Sequence, residues 1–520
     1  IDQELGKKLT FTATARLTNT IVNGAGTSGN AQLNIKDAVQ TRPVNGLADE
    51  LDLNLTEIDP NDDFATFISS LVSPTKLAAQ DWRRRTNNEY VLNGALKYDI
   101  TPNLNIKTTL TTSKGFNENL RFYGPLTGES FNNGGNLPLG EKGSSIADSY
   151  RWLNTLNYKF NVSKHNVDIL LGHEVYSNGG KSDFIRSEDF RLSITPEELF
   201  ANMTFGRTDR LETQIFTDEN RLSGFGRLDY SFNNKYLATV TVRADASSKF
   251  APENRLGIFP AVALGWKISE EAFLQNSDAI SELKLRVSYG ATGNDRINST
   301  ATQLLFVGST LRGPGFGNFD NPYYSPSGTT LYNPNLVWET TINRNAGLDF
   351  DLFKSRITGS LDFYYNTTKD LLLQSAIPSN TGFTTQWNNI GTTSNKGVEL
   401  GLSIGIIEHR DYFLNANFTV GHNVAKIDAL DGTNARFFQS NWASTDLKDR
   451  DDYYIVVGGK VGDIYGYVTD GYYQTSDFAG YDARTGTYTL KEGVPNASGT
   501  VGNTRLRPGF VKLTDLDGDG

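Results

Sequence analysis

Lys235-Tyr236-Leu237-Ala238-Thr239-Val240-Thr241-Val242-Arg243 follows the two-residue break Asn233-Asn234 and strictly alternates between two kinds of side chain. Tyr236, Ala238, Val240 and Val242 fall on one face; Leu237, Thr239, Thr241 and Arg243 fall on the other. A period of two belongs to a strand with one apolar and one polar face. The same period recurs in both directions along the chain. Leu9, Phe11, Ala13, Ala15 and Leu17 alternate with Thr10, Thr12, Thr14 and Arg16. Leu104, Ile106, Thr108 and Leu110 do so with polar neighbours, as do Ala346, Leu348, Phe350 and Leu352. Further runs lie at 90–100, 150–160, 167–171, 222–232, 257–268, 283–290, 356–366, 397–405 and 412–423, which predicts about thirteen strands in all.

The connections between these runs are of two kinds. Ile100–Asn103, Asn161–His165, Asn233–Asn234, Lys354–Ser355 and Ile406–Asp411 are short. The segments 18–89, 114–148, 178–218, 291–342, 367–396 and 425–520 are long and polar. Short and long alternate, with 269–282 rather long for a turn and 246–256 only moderately long. Tight turns at one rim and long loops at the other are the plan of an outer-membrane barrel. Nine aromatic residues flank the short turns, Tyr98, Tyr158, Phe160, Tyr230, Phe232, Tyr236, Phe353, Tyr412 and Phe413. Amphipathic rings suit the level where headgroups meet hydrocarbon, so these predict a girdle in outer-membrane lipid. Asp349, Asp351 and Asp362 are then expected on the wet inner face.

Composition fits this reading. The 520 residues include 50 glycines, 23 tyrosines and 30 phenylalanines, with 38% hydrophobic residues and no cysteine. No stretch is long and apolar enough for a helical span, and barrel strands of ~9–11 alternating residues need none. A formal charge of −10 lacks the positive field that nucleic acid requires. Bacterial single-chain barrels have even strand numbers. An odd count, an opening at Ile1 and an end within an acidic run therefore read as a partial barrel over 1–520.

Several stretches resemble the SusC/RagA family of TonB-dependent transporters of Bacteroidetes-type bacteria. Arg243-Ala244-Asp245-Ala246-Ser247-Ser248-Lys249-Phe250 is similar to that family's R-x-D-x-S-S-x-F, and Gly257–Trp266 follows it as a second signature. Leu283–Gly290 with Thr292-Gly293-Asn294, Asn333-Pro334-Asn335-Leu336-Val337-Trp338-Glu339 and Asn395-Lys396-Gly397-Val398-Glu399 follow in family order. Gly466-Tyr467, Asp470-Gly471 and Pro508-Gly509 complete it. The resemblance implies an all-β antiparallel barrel of 22 strands in the bacterial outer membrane, closed by a plug and opened by TonB. It also implies a SusD-like surface lipoprotein as partner, and glycan oligosaccharides or peptides as imported ligands. The TonB-contacting segment and plug would lie outside this stretch. The alternative is a SusC-like barrel serving as a structural subunit of an assembly or secretion complex.

Catalytic signatures are missing. Gly24–Gly29 fits G-x-G-x-x-G, but no βαβ units follow, so it reads as a glycine-rich loop. His165, His173, His409 and His422 lack ligand spacing, and no G-x-S-x-G elbow occurs, so no enzyme is expected. Asp515, Asp517 and Asp519 before Gly520 match the first half of an EF-hand-type loop and form a candidate calcium site, with no other cofactor required. Trp82, Tyr123, Phe316, Phe319, Tyr323, Tyr324, Trp387 and Trp442 lie in the long loops. Aromatic faces there can stack on sugars or pack the loops together. Tyr323, Tyr324 and Trp387 are chosen for the binding face.

Overall fold

A computed structural model describes residues 1–24, 78–275, 277–309, 323–326, 328–430, 432, 435–438, 452–498 and 506–516. Its main feature is one 14-stranded antiparallel sheet in which each strand pairs with the next. The first ten strands are β1 (Asp2–Glu4), β2 (Leu9–Asn23), β3 (Asp81–Thr101), β4 (Leu104–Tyr123), β5 (Leu139–Val162), β6 (His165–Glu188), β7 (Arg207–Phe232), β8 (Tyr236–Ser247), β9 (Leu256–Lys267) and β10 (Ile280–Asn294). Short strands β11 (Phe306–Ser309), β12 (Tyr323–Pro326) and β13 (Thr330–Leu331) lie in the next connection. The sheet resumes with β14 (Glu339–Leu352), β15 (Ile357–Lys369), β18 (Thr392–Glu408) and β19 (Phe413–Ala429), while β16 (Leu372–Ala376) and β17 (Thr385–Asn389) form a small sheet with β13. The strand absent from the count of thirteen is β1, whose three residues are too few to show a period.

The alternation of connections is complete. One rim carries the links 5–8, 102–103, 163–164, 233–235, 268–279, 353–356 and 409–412. The other carries 24–80, 124–138, 189–206, 248–255, 295–338 and 370–391. At the tight rim Asn233 and Asn234 both take positive φ, 54° and 55°, as the two central residues of a type I′ turn closed by Lys235 N on Phe232 O at 3.0 Å, whose twist matches that of the strands. The longest link there is tied down by Glu271, which accepts from the Tyr236 hydroxyl at 2.7 Å, the Trp266 indole at 3.1 Å and Lys235 at 3.3 Å. These hydrogen bonds, that from Tyr236 first, hold its carboxyl below the usual range.

Several strands run well past the predicted ends. β5 and β6 have 24 residues and β7 has 26, against the ~9–11 that cross a bilayer. The segments 114–148 and 178–218 therefore shrink to the connections 124–138 and 189–206. The reason is visible in the side chains. Leu110, Trp152, Tyr158, Leu171, Leu228, Val240 and Leu264 stand exposed on the outward face of the half next to the tight turns. Beyond that band the outward positions turn polar, as at Lys114, Glu118, Ser144 and Lys142. Pairing continues there after the apolar period has faded.

The opposite face carries most of the charged side chains, with apolar ones such as Phe225, Leu237 and Phe259 among them. Arg286 on β10 reaches across β14 to Asp349 at 2.8 Å and to Asp362 on β15 at 3.1 Å. The register sets Arg286 opposite Gly347, and Gly347 opposite Asp362. A Cβ on Gly347 would collide with both charged groups, so the glycine is the gap through which they meet. Gly347→Val should push the two charged ends apart and lower stability by up to about 1 kcal/mol. The check is the midpoint of urea unfolding in detergent; an unchanged midpoint would show that the ion pair has no structural role.

The region predicted as the final loop, 425–520, holds more structure than expected. Residues 458–461 lie along the free edge of β19, with Gly458 N donating to Ile427 O at 2.7 Å and Val461 N to Ala425 O at 3.0 Å. Beyond them, Tyr473, Phe478, Ala497 and Leu506 make a small separate core.

A candidate ligand face at the long-loop rim

Residues from four of the stretches quoted above for their order, Arg243–Phe250, Gly257–Trp266, Thr292–Asn294 and Asn333–Glu339, come together at the rim of long connections. Ser247 Oγ donates to Asp295 Oδ2 at 3.0 Å, and Arg221 meets the same oxygen at 2.6 Å. Arg243 is bonded to Asp245 at 2.9 Å and to Ser223 Oγ at 2.9 Å. Phe250, Phe259, Ile297, Leu336, Trp338 and Leu372 form one buried cluster above these ion pairs. Trp338 lies between Phe250, 5.2 Å between ring centroids, and Phe259, 5.4 Å, and donates its indole N–H to Arg255 O at 2.9 Å. Glu339 caps the assembly, accepting from Asn294 at 2.9 Å and from Leu372 N at 3.0 Å. Three connections, 248–255, 295–338 and 370–391, are thus bound into one hub by groups that are neighbours only in the fold.

Trp387 packs against this hub and borders a cleft of about 590 Å³. Asn298, Gln303, Tyr332, Gln374 and the β7 residues Gln214–Phe216 also line it. Asn333 bonds the Trp387 carbonyl at 2.9 Å and Asn388 at 3.0 Å. Gln374 bonds Thr330 and Thr385, each at 2.8 Å. An aromatic wall with amides and hydroxyls suits ligands with many hydroxyl or amide groups, and offers no nucleophile–base pair.

The predicted residues fare unequally. Trp387 reaches the cleft. Tyr323 and Tyr324 lie on β12, paired with Ser309 and Gly308, while their side chains fall outside the described residues. Asp515 follows the short strand Val511–Leu513, whereas Asp517 and Asp519 lie outside the described residues. Among the described residues no three metal-ligating side chains gather. Residues 25–29 of the glycine-rich motif, Phe316, Phe319 and Trp442 are likewise outside them. Trp82 takes the packing role, 5.7 Å from Phe200 and against the cluster of Phe122, Phe190, Ile194 and Leu199. Tyr123 donates its hydroxyl to Glu141 at 3.2 Å, and burial, with Glu129 nearby, pushes the Glu141 carboxyl up. The amides of the cleft were missed, since glutamines spread from 214 to 374 carry no local signal.

Comparison with known proteins agrees with this geometry. The family model of the TonB-dependent receptor-like β-barrel matches residues 12–506. TonB-dependent receptor P3 of Formosa agariphila is 28% identical over 491 residues, which is 94% of this chain and 44% of that protein. TonB-dependent receptor SusC of Bacteroides thetaiotaomicron is 38% identical over 255 residues, 48% of this chain and 24% of SusC. The chain thus spans less than half the length of these curated relatives. The structure of the RagAB peptide transporter superposes with a TM-score of 0.70 at 24% identity, over 94% of this chain and 50% of that one, and shows the shared fold. Such receptors are transport proteins rather than enzymes. The fourteen-stranded wall, its ordered rim hub and these matches establish that the chain belongs to the TonB-dependent receptor β-barrel family of the bacterial outer membrane.

Proposed function

We propose that the protein imports glycan oligosaccharides or peptides across the outer membrane, driven by TonB and working with a SusD-like surface lipoprotein. The observation that carries this reading is the gathering of every long connection at one rim, where the hub holds a cleft lined by Trp387, Tyr332 and amide side chains. A capture surface belongs on the side that meets ligand, and tight turns on the other side leave the wall free to surround a moving plug. The names of the relatives support energy coupling through TonB, and RagAB is named a peptide transporter. The loops of 18–89, 114–148, 178–218, 291–342, 367–396 and 425–520 are assigned to the extracellular side on the same ground. Calcium at Asp515, Asp517 and Asp519 belongs to this reading on the strength of the D-x-D-x-D-G order.

Deleting the gene should abolish growth on one glycan or peptide source while leaving growth on monosaccharides unchanged. Uptake that stays intact across a broad panel of both ligand classes would overturn import. Copurification with secretion or assembly subunits, in place of a SusD-like lipoprotein, would then favour the scaffold role.

A further inference from the structure

Trp82-Arg83-Arg84-Arg85 opens β3 at the long-loop rim, and its two odd-numbered arginines lie on the inner face. The parity is fixed by Tyr90, Leu92, Leu96 and Tyr98, which stand exposed on the outward face of the same strand. Arg83 lies opposite Arg121 on β4, and Arg85 opposite Asn119. Arg121 is buried and bonded twice to Asp81, at 3.0 and 3.2 Å, so this pair cancels its own charge. Arg83 donates from Nε to Asn119 Oδ1 at 2.8 Å, a neutral acceptor. Neither Arg83 nor Arg85 has an ion pair with a carboxylate among the described residues. Burial, and then the charges of Arg85 and Arg121, push the Arg83 guanidinium down. Asn87 and Asn117, opposite one another on the same inner face, continue the wall below.

Two guanidiniums side by side on one face, with no carboxylate on either among the described residues, repel one another and favour an anion between them. We propose that Arg83 and Arg85 form an anion subsite on the inner wall that takes the carboxylate of an acidic oligosaccharide, with Asn87, Asn117 and Asn119 meeting its hydroxyls. Guanidinium forks bind carboxylates in a bidentate way, and amides supply both donors and acceptors for sugar hydroxyls. Among the described residues, Arg83, Arg85, Asn87, Asn117 and Asn119 offer no apolar side chain for the residues of a peptide, which favours a uronic-acid glycan over an acidic peptide. This deepens the import reading and rests on it for the ligand class.

The test is fluorescence anisotropy on the full-length protein in detergent, with labelled hexagalacturonate, its fully methyl-esterified form and labelled hexaglutamate as probes. The wild type should hold hexagalacturonate at least tenfold more tightly than the ester, with affinity falling as salt rises. Arg83→Gln with Arg85→Gln should weaken the acidic glycan about 100-fold, and leave the ester unchanged. Heat-modified migration on a gel confirms that the variant is folded. Equal binding of acid and ester, no binding of the acid by the wild type, or an unaltered double variant would each overturn the subsite. Hexaglutamate binding as tightly as hexagalacturonate would overturn its assignment to glycans. Because binding needs no TonB, failure here leaves the growth test of import standing, and a failed growth test leaves a measured subsite standing.

Discussion

Val240→Arg should destabilise the protein by about 2–4 kcal/mol, whereas Thr241→Arg, one residue along, should cost far less. Val240 is 43% exposed on the outward face of β8, four residues beyond the girdle residue Tyr236. At the strand's tilt and rise of ~3.4 Å per residue this puts it near the middle of an apolar band roughly 25 Å tall. Its register neighbours Leu228 and Val262 are exposed apolar side chains as well. A guanidinium there must leave water for hydrocarbon. Thr241 lies on the polar inner face opposite Arg227, where a charge keeps its water. Urea titration of folding into lipid vesicles, read by heat-modified migration, measures both variants. Equal losses, or a neutral Val240→Arg, would mean that the outward face does not meet lipid.

The parts of this architecture that were legible in the sequence are those in which one physical contrast repeats. Lipid on one side and water on the other impose a period of two, so Tyr236–Arg243 announces both its strand and its faces. Asn233-Asn234, where two residues accept positive φ, announces the turn. Strand ends at the far rim were illegible because the contrast fades there: along Lys114–Asn119 the outward face mixes Lys114, Phe116 and Glu118. β1 was missed for its shortness. The ligand face was hardest to read, since its cleft is assembled from residues up to 173 positions apart, Gln214 to Trp387, and only the large aromatic could be picked out. The histidines illustrate the reverse. His165 bonds Tyr230 at 2.8 Å and His409 stacks on Tyr412 at 4.6 Å, so both pack among the girdle's rings.

Trp338→Ala should release the long-loop rim while leaving the membrane wall intact. The side chain is 9% exposed, wedged between Phe250 and Phe259, and its indole N–H is bonded to Arg255 O at 2.9 Å. Emptying such a site costs about 3–5 kcal/mol, the lost transfer energy plus the cavity left behind. That loss falls on contacts among the connections 248–255, 295–338 and 370–391, whereas the strand ladder below is held by its own hydrogen bonds. Limited proteolysis should therefore cut the variant within these connections at least tenfold faster, with heat-modified migration of the barrel unchanged. Trp387 packs on the same hub, so the cleft should lose its shape and its ligand affinity together. Trp338→Phe separates the two contributions: it keeps most of the packing and gives up the hydrogen bond to Arg255, for a cost of about 1 kcal/mol. If Trp338→Ala is cut no faster than wild type, the hub is not what holds the rim. If it is cut faster and still binds ligand, the cleft beside Trp387 is not the ligand face.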